Sequence, residues 1–326
     1  MSETPRGDGR SAPASPRRQP PSWLTSIGHA VTGALGLIAA GALSVLMLVA
    51  LALAVAYPNL PEISGLTDYR PKLPMRIYAA DGVLLGEFGE ERRNFVSAAD
   101  MPAVMKNAVL AIEDARFYQH GGVDYLGILR AGLANFGESR SQGASTITMQ
   151  VARNFYLSTE KTFTRKIYEI LLALKIESLL TKDQILELYM NQIYLGQRAY
   201  GFASASEVYF GKPLKSVSIA EAAMLAGLPK APSAYNPIAN PKRATIRQLH
   251  IIDRMLENGF ITPEQREEAR NQRLAYRTPS ETPTHGEYAA EAARQLIYAQ
   301  YGEDSYTLDL HVHLTVKSSD QMVAYH

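Results

Sequence analysis

Two adjacent carboxylates, Glu113 and Asp114, open the stretch EDARFYQHGG, which also carries Arg116, Phe117 and His120 and runs to Gly122. Carboxylates side by side near a helix C-terminus oppose the helix dipole, so the placement costs stability. Such a breach of local preference points to function, although a surface contact of Asp114 with Arg116 or His120 accounts for the cluster equally well. A second stretch, GASTITMQ over 143–150, sets Ser145, Thr146 and Gln150 at a loop-to-helix junction. Hydroxyls in that place serve first as an ordinary N-cap and only second as an anion cradle. In the third stretch, RKIYE over 165–169, Arg165 and Glu169 stand four residues apart. By itself this spacing reads as a solvated salt bridge worth about 0.2–0.5 kcal/mol. The fourth, KDQILELYMNQIYLG over 182–196, spaces Ile185, Leu188, Tyr189 and Ile193 as core residues and reads as scaffold.

Much other chemistry is excluded. The 326 residues include no cysteine, which removes disulfides, thiol nucleophiles and cysteine-ligated zinc or iron–sulfur sites. The seven histidines are scattered and form no ligand cluster, so no metal site is expected from them. There is no Walker-type phosphate loop and no GxGxxG fingerprint. Thirty-three basic against thirty-two acidic side chains leave +1, which argues against nucleic acid as a partner. With 46% apolar and 20% charged residues, the chain can bury a sizeable core.

The elements that must carry these residues follow from periodicity and punctuation. Residues 1–22, rich in Pro, Ser and Arg, read as a disordered tail. No charged residue occurs over 23–57, and the 23 residues of Ala34–Ala56 make a helix of roughly 35 Å, enough to cross about 30 Å of hydrocarbon. Arg6, Arg10, Arg17 and Arg18 precede this span, so the N-terminus is expected in the cytoplasm and the rest of the chain on the far side. Pro58, Pro61, Pro71 and Pro74 predict an extended stalk. A hairpin follows, with Asp81-Gly82 turning Ile77–Ala79 into Val83–Phe88. Val104, Ala108, Ala111 and Ala115 predict a helix ending near Phe117, and residues 125–136 are apolar nearly all round. Capping boxes at Thr181…Gln184, Ser218…Glu221 and Thr262…Gln265 mark three helix starts. Thr164–Leu180 and Ala244–Asn258 read as amphipathic helices, the second stopped at Gly259. A Pro/Thr/Ser linker over 276–285, a helix over about 287–301 and a strand over His311–Val316 complete the pattern, leaving the body over 95–275 mainly α.

In this order and at these separations, the polar stretches resemble the motifs of glycosyltransferase family 51, the peptidoglycan glycosyltransferase module of class A penicillin-binding proteins, nearest the 1a type. EDxxFxxHxG is complete at 113–122, and GxSTITQQ occupies 143–150 with Met149 in place of the first glutamine. RKxxE is 165–169, the fourth motif matches 182–196, and a fifth resembles AGLPKAPSAYNP over 226–237. The likeness spans about residues 58–326. It implies a mainly α, lysozyme-like fold, with a large lobe and a membrane-proximal jaw around 125–136, behind one transmembrane helix. It implies polymerisation of lipid II onto a growing glycan chain through inverting β-1,4 transfer, with release of undecaprenyl diphosphate. Glu113 matches the catalytic base, its pKa raised by burial and by Asp114 beside it, and Glu169 matches the second essential glutamate. Arg153, Arg165 and Lys166 match the diphosphate contacts, and the resemblance adds Lys161 as a helper. Ser145, Gln150 and Asn154 match polar donor contacts, and Asp114, Phe117, His120 and Thr146 belong to the same substrate-binding motifs. Glu169 would orient the cations, or a divalent ion (magnesium or manganese) at the diphosphate. The resemblance also implies a single-pass protein of the bacterial inner membrane with a periplasmic catalytic domain. Its partners would be the lipid bilayer and other cell-wall synthesis proteins.

On this reading the chain divides into a tail (1–22), a transmembrane helix (23–57), a stalk and hairpin (58–94), the glycosyltransferase (95–275), and a linker leading into a cut-short transpeptidase region (276–326). The only S-x-x-K, Ser158 to Lys161, lies between the second and third motifs and lacks both transpeptidase companions, so no transpeptidase activity is expected.

Overall fold

A computed structural model describes residues 22–66, 73–89, 91–127, 145–157, 163–277 and 286–325. The N-terminal tail, the apolar stretch over 128–136, the loop over 137–143, Ser158, Lys161 and the linker over 278–285 lie outside these residues. The chain falls into two units, residues 1–59 and 60–326. In the first, helix α1, Ser22–Ala56, is 35 residues long. At 1.5 Å per residue it is about 50 Å long, more than the hydrocarbon thickness of a bilayer. Its Leu37 and Met47 side chains are 78% and 74% exposed, an apolar surface that suits lipid rather than water.

The second unit begins with a correction to the expected stalk. Ile63 and Leu66, around the 3₁₀ turn Ser64–Leu66, are buried in the main core, because their apolar side chains gain more by burial than by standing free. The hairpin forms as the turn pair requires. Strand β1, Met75–Tyr78, runs antiparallel to β2, Leu84–Phe88, with Gly82 supplying φ +80° in the turn. Period-2 alternation sends Met75 and Ile77 inward against Leu85, Ala290 and Ala293. On the other face Arg76 sits 3.9 Å from Glu87, its cross-strand partner, and 3.3 Å from Asp309. The strand read over His311–Val316 is shorter, His311–His313, and pairs parallel with β1. Hairpin and C-terminal segment, far apart in sequence, thus share one sheet. The helix Glu287–Tyr301 covers its apolar face.

The body is built from helices at the expected places. Helix α2, Ala103–Glu113, packs against α7, Ile219–Ala226, and α8, Pro241–Glu257. Helix α3, Ile147–Tyr156, packs against α4, Phe163–Leu179, and α5, Lys182–Gln192. All three capping boxes close in both directions, and Gly259 takes φ +71° just past the end of α8. Met105, Ile147, Leu172, Ile176, Ile185 and Ile251 meet in one core joining both groups of helices.

A strap over 91–98 is tied to α5 through Asn191, whose Oδ1 accepts from Val96 N (2.9 Å) and whose Nδ2 donates to Val96 O (2.8 Å). Gly201, at φ +80° and ψ 157° before α6, Phe202–Phe210, presses on the same residue; a Cβ there would stand 2.8 Å from Asn191 O. Gly82 has the same φ but open space around it. Gly201→Ala is therefore expected to cost about 1–3 kcal/mol more than Gly82→Ala. Comparison of the two variants' thermal melts checks this.

Candidate active site

Helix α2 ends at Glu113, four residues before the expected stop near Phe117. The cause is Asp114. Its backbone leaves the helix at φ −162°, and its carboxylate lies 2.9 and 3.0 Å from His120 Nε2 while accepting from Ile147 N at 3.1 Å. The Asp114–His120 contact thus forms, but buried rather than on the surface, and Arg116 turns instead to Asp124. Thr146 accepts from Met149 N (3.2 Å) and donates to Gly122 O (2.6 Å), so the second motif begins as an N-cap. With Asp114 on Ile147 N, the positive end of α3 is occupied by the protein's own oxygens. Phe117 is buried beneath the Lys182 ammonium, 4.3 Å from the ring centroid.

Glu113, the last helical residue, accepts a 2.8 Å hydrogen bond from Gln150 Nε2. Burial pushes its pKa up; the Gln150 bond and the positive charges of Arg247, Arg153 and Lys230 pull the other way without cancelling the rise. Asp114 is not among the main causes, contrary to expectation; its carboxylate is turned toward His120 and Ile147. Two neighbours of Glu113 escape the sequence reading. Arg247, on α8, lies over the Tyr235 ring at 5.7 Å, and burial holds its pKa below the usual guanidinium value while Glu113 offsets part of the drop. Tyr189, on α5, is fully buried; burial first, and then the Glu113 charge, push its phenol well above the ordinary value. Its hydroxyl has no hydrogen-bond partner among the described residues.

The third motif departs furthest from its surface reading. Glu169 is 1% exposed, with Lys166 Nζ at 2.8 Å, Arg165 Nε at 3.2 Å and Arg153 Nη1 at 3.9 Å. Helix periodicity turns it inward, so this carboxylate is a buried hub and not a solvated partner. Lys166 also donates to Ser145 Oγ (2.8 Å) and lies 3.8 Å from Met149 Sδ. Met149, where the motif has glutamine, is fully buried beside Val123 and Ala173. Three cations around one carboxylate leave a surplus of positive charge. The Lys166 and Arg153 side chains, 40% and 33% exposed, present it to solvent, as a dianion would require. Gln150 and Arg153 are three apart on α3, hence on one face, and so link the two glutamates. Asn154, exposed on the same helix, hydrogen-bonds to neither. The residues do not fit a resident metal ion: among those described no three His, Asp or Glu gather, and Glu169 is ringed by cations.

The sequence profile of the transglycosylase family matches residues 81–256, more than half of the chain, and the chain belongs to that family. It is similar to penicillin-binding protein 1A of Neisseria meningitidis serogroup A (strain Z2491), 56% identical over 279 residues, which cover 85% of this chain and 35% of the relative. Penicillin-binding protein 1A of Escherichia coli K12 is 47% identical over 270 residues, 82% of this chain and 32% of the relative. This chain therefore spans about a third of the length of these curated relatives. The crystal structure of penicillin-binding protein 1A from Haemophilus influenzae aligns with 77% of this chain and 28% of its own, at 30% identity and a TM-score of 0.45.

The raised pKa of Glu113 has a sign that can be measured. The folded protein holds this proton more tightly than the unfolded chain. Stability therefore falls as pH climbs from the ordinary carboxylate range through the raised value. Glu113→Gln is expected to melt above the parent at neutral pH, with the gap closing as pH drops below the ordinary carboxylate value. Melting curves across that range check it.

Proposed function

We propose that the helical body is a peptidoglycan glycosyltransferase that extends β-1,4-linked glycan strands from lipid II and releases undecaprenyl diphosphate into the bilayer. Helix α3 carries the reading: within one turn, Gln150 holds Glu113 and Arg153 pairs with Glu169, which sets a proton acceptor beside a cation cluster. The attacking sugar hydroxyl has a high pKa and gives up its proton only as the new bond forms. Glu113, with a raised pKa, is suited to accept it. As the anomeric C–O bond breaks, negative charge grows on the departing diphosphate, where Arg153, Arg165 and Lys166 stabilise it. Ser145, through its bond to Lys166, and the exposed Asn154 complete the donor side. Attack opposite the leaving group inverts α to β.

Glu169 keeps the cations together, and a divalent ion at the diphosphate would draw its ligands from the substrate's oxygens. Helix α1 anchors the enzyme in the inner membrane, with the N-terminus cytoplasmic and the catalytic body periplasmic, among other cell-wall synthesis proteins. A lysozyme-like hydrolase has no need of the cation cluster, which favours transfer over hydrolysis.

Glu113→Gln is expected to slow lipid II polymerisation about 10²–10⁴-fold while keeping lipid II affinity. Polymerisation within a few-fold of the parent would remove Glu113 from the role of base. Arg165→Ala is expected to weaken donor binding and slow bond formation together; an effect on neither would displace the proposed donor subsite. Gel-sized glycan products and single-turnover rates read both variants.

A further inference from the structure

A cleft of about 340 Å³ lies between β2 and α6 and shares no lining residue with the candidate active site. Its volume is at the low end of the about 300–1,000 Å³ found for small-ligand pockets, so it suits a molecule of dipeptide size rather than a nucleotide. Leu84, Val208 and Ile238 give it an aliphatic part of its lining. The two carboxylates in the wall already have partners: Glu87 faces Arg76 at 3.9 Å, and Glu207 accepts from Asn94 Nδ2 at 2.7 Å. Each keeps lone pairs for further N–H donors. Three guanidinium groups face them: Arg198 donates to Gly89 O, and Arg198 and Arg92 offset part of the Glu87 charge at longer range. Arg92 and Arg277 line the cleft, are exposed, and form no ion pair among the described residues. Ser204 lines it as well, 2% exposed, and its hydroxyl has no hydrogen-bond partner there. A buried hydroxyl left in that state is costly unless something in the cleft meets it. The neighbouring turn is firmly held. Gln197 and Arg198 take left-handed backbone, at φ 50° and 60°, fixed by Ala199 N to Gly196 O (2.8 Å) and Arg92 N to Arg198 O (2.9 Å).

Two unpaired guanidiniums, an unmet hydroxyl, acceptors for N–H groups and an aliphatic wall together describe one ligand chemistry. We propose that this cleft binds a small peptide carboxylate: the carboxylate between Arg92 and Arg277 with Ser204 donating to it, amide N–H groups toward Glu87 and Glu207, and an aliphatic side chain against Val208 and Ile238. Planar guanidinium groups suit a carboxylate because two N–H donors meet two oxygens.

Calorimetric titration of the full chain in detergent micelles with N-acetyl-alanyl-alanine, its C-terminal amide and inorganic phosphate tests this. The free carboxylate is expected to bind saturably, and the amide about tenfold more weakly or worse. Arg92→Ala, Arg277→Ala and Ser204→Ala are each expected to weaken the free acid without lowering the melting temperature. Equal binding of acid and amide would overturn the proposal, as would the absence of saturation below about 10 mM. Phosphate binding as tight as the peptide would also overturn it, by showing a bare oxyanion site with no use for the aliphatic wall. The amide comparison on the parent protein stands even where a variant fails to fold.

Discussion

Glu169 is a carboxylate with almost no contact with water, and three cations stand where its hydration shell would be. Removing a charge from water costs several kcal/mol unless partners replace the solvent, so Arg153, Arg165 and Lys166 are held in place by this requirement. The dependence is mutual: three positive groups from two helices repel one another, and the buried carboxylate lets them share one surface. That in turn fixes how α3 lies on α4. The small side chains Ala152 of α3 and Ala173 of α4 are both fully buried. The core around Leu172 and Ile176 keeps the contact from shearing.

From this hub the remaining geometry follows along α3. Thr146 and Asp114 close its N-terminus, Gln150 at the end of the first turn meets Glu113, and Arg153, one turn further on, reaches Glu169. Asp114 therefore serves structure more than charge tuning: by leaving α2 and capping α3 it sets where Glu113 stops, and desolvation does the rest. The unusual adjacent carboxylates at a helix C-terminus are thus divided, one kept for the site and one spent on joining two helices.

Much of this is legible in the sequence. Capping boxes name their own geometry, since Thr181, Ser218 and Thr262 each need only the next turn of chain to act. Gly259 and the Asp81-Gly82 turn are equally local. What could not be read is what depends on convergence. Glu169 looked like half of a surface pair because i, i+4 spacing is blind to which face is buried. Arg247 and Tyr189 sit on separate helices, far from Glu113 in sequence; Arg247 lies in none of the motifs, and Tyr189, inside the fourth, reads there as core. The burial of Ile63 and Leu66 is hidden in the sequence because the prolines around them dominate the local signal.

The sheet of the second unit closes over a long span: Arg76 of β1 pairs with His311, 235 residues later, and the whole helical body lies between them. As the chain is made, β1 and β2 are finished early, while the other edge of β1 stays open until the helices have been synthesised. Closing a loop of that length costs about 5 kcal/mol of chain entropy if the intervening residues are disordered, and far less once they have folded. The order of events is thereby set, with the body forming first and drawing its two ends together. In the interval β1 is an exposed edge with Met75 and Ile77 uncovered, the kind of surface that pairs with the wrong neighbour. The parallel pairing thus makes the sheet mature only after the helical body, and leaves it in need of protection while it waits.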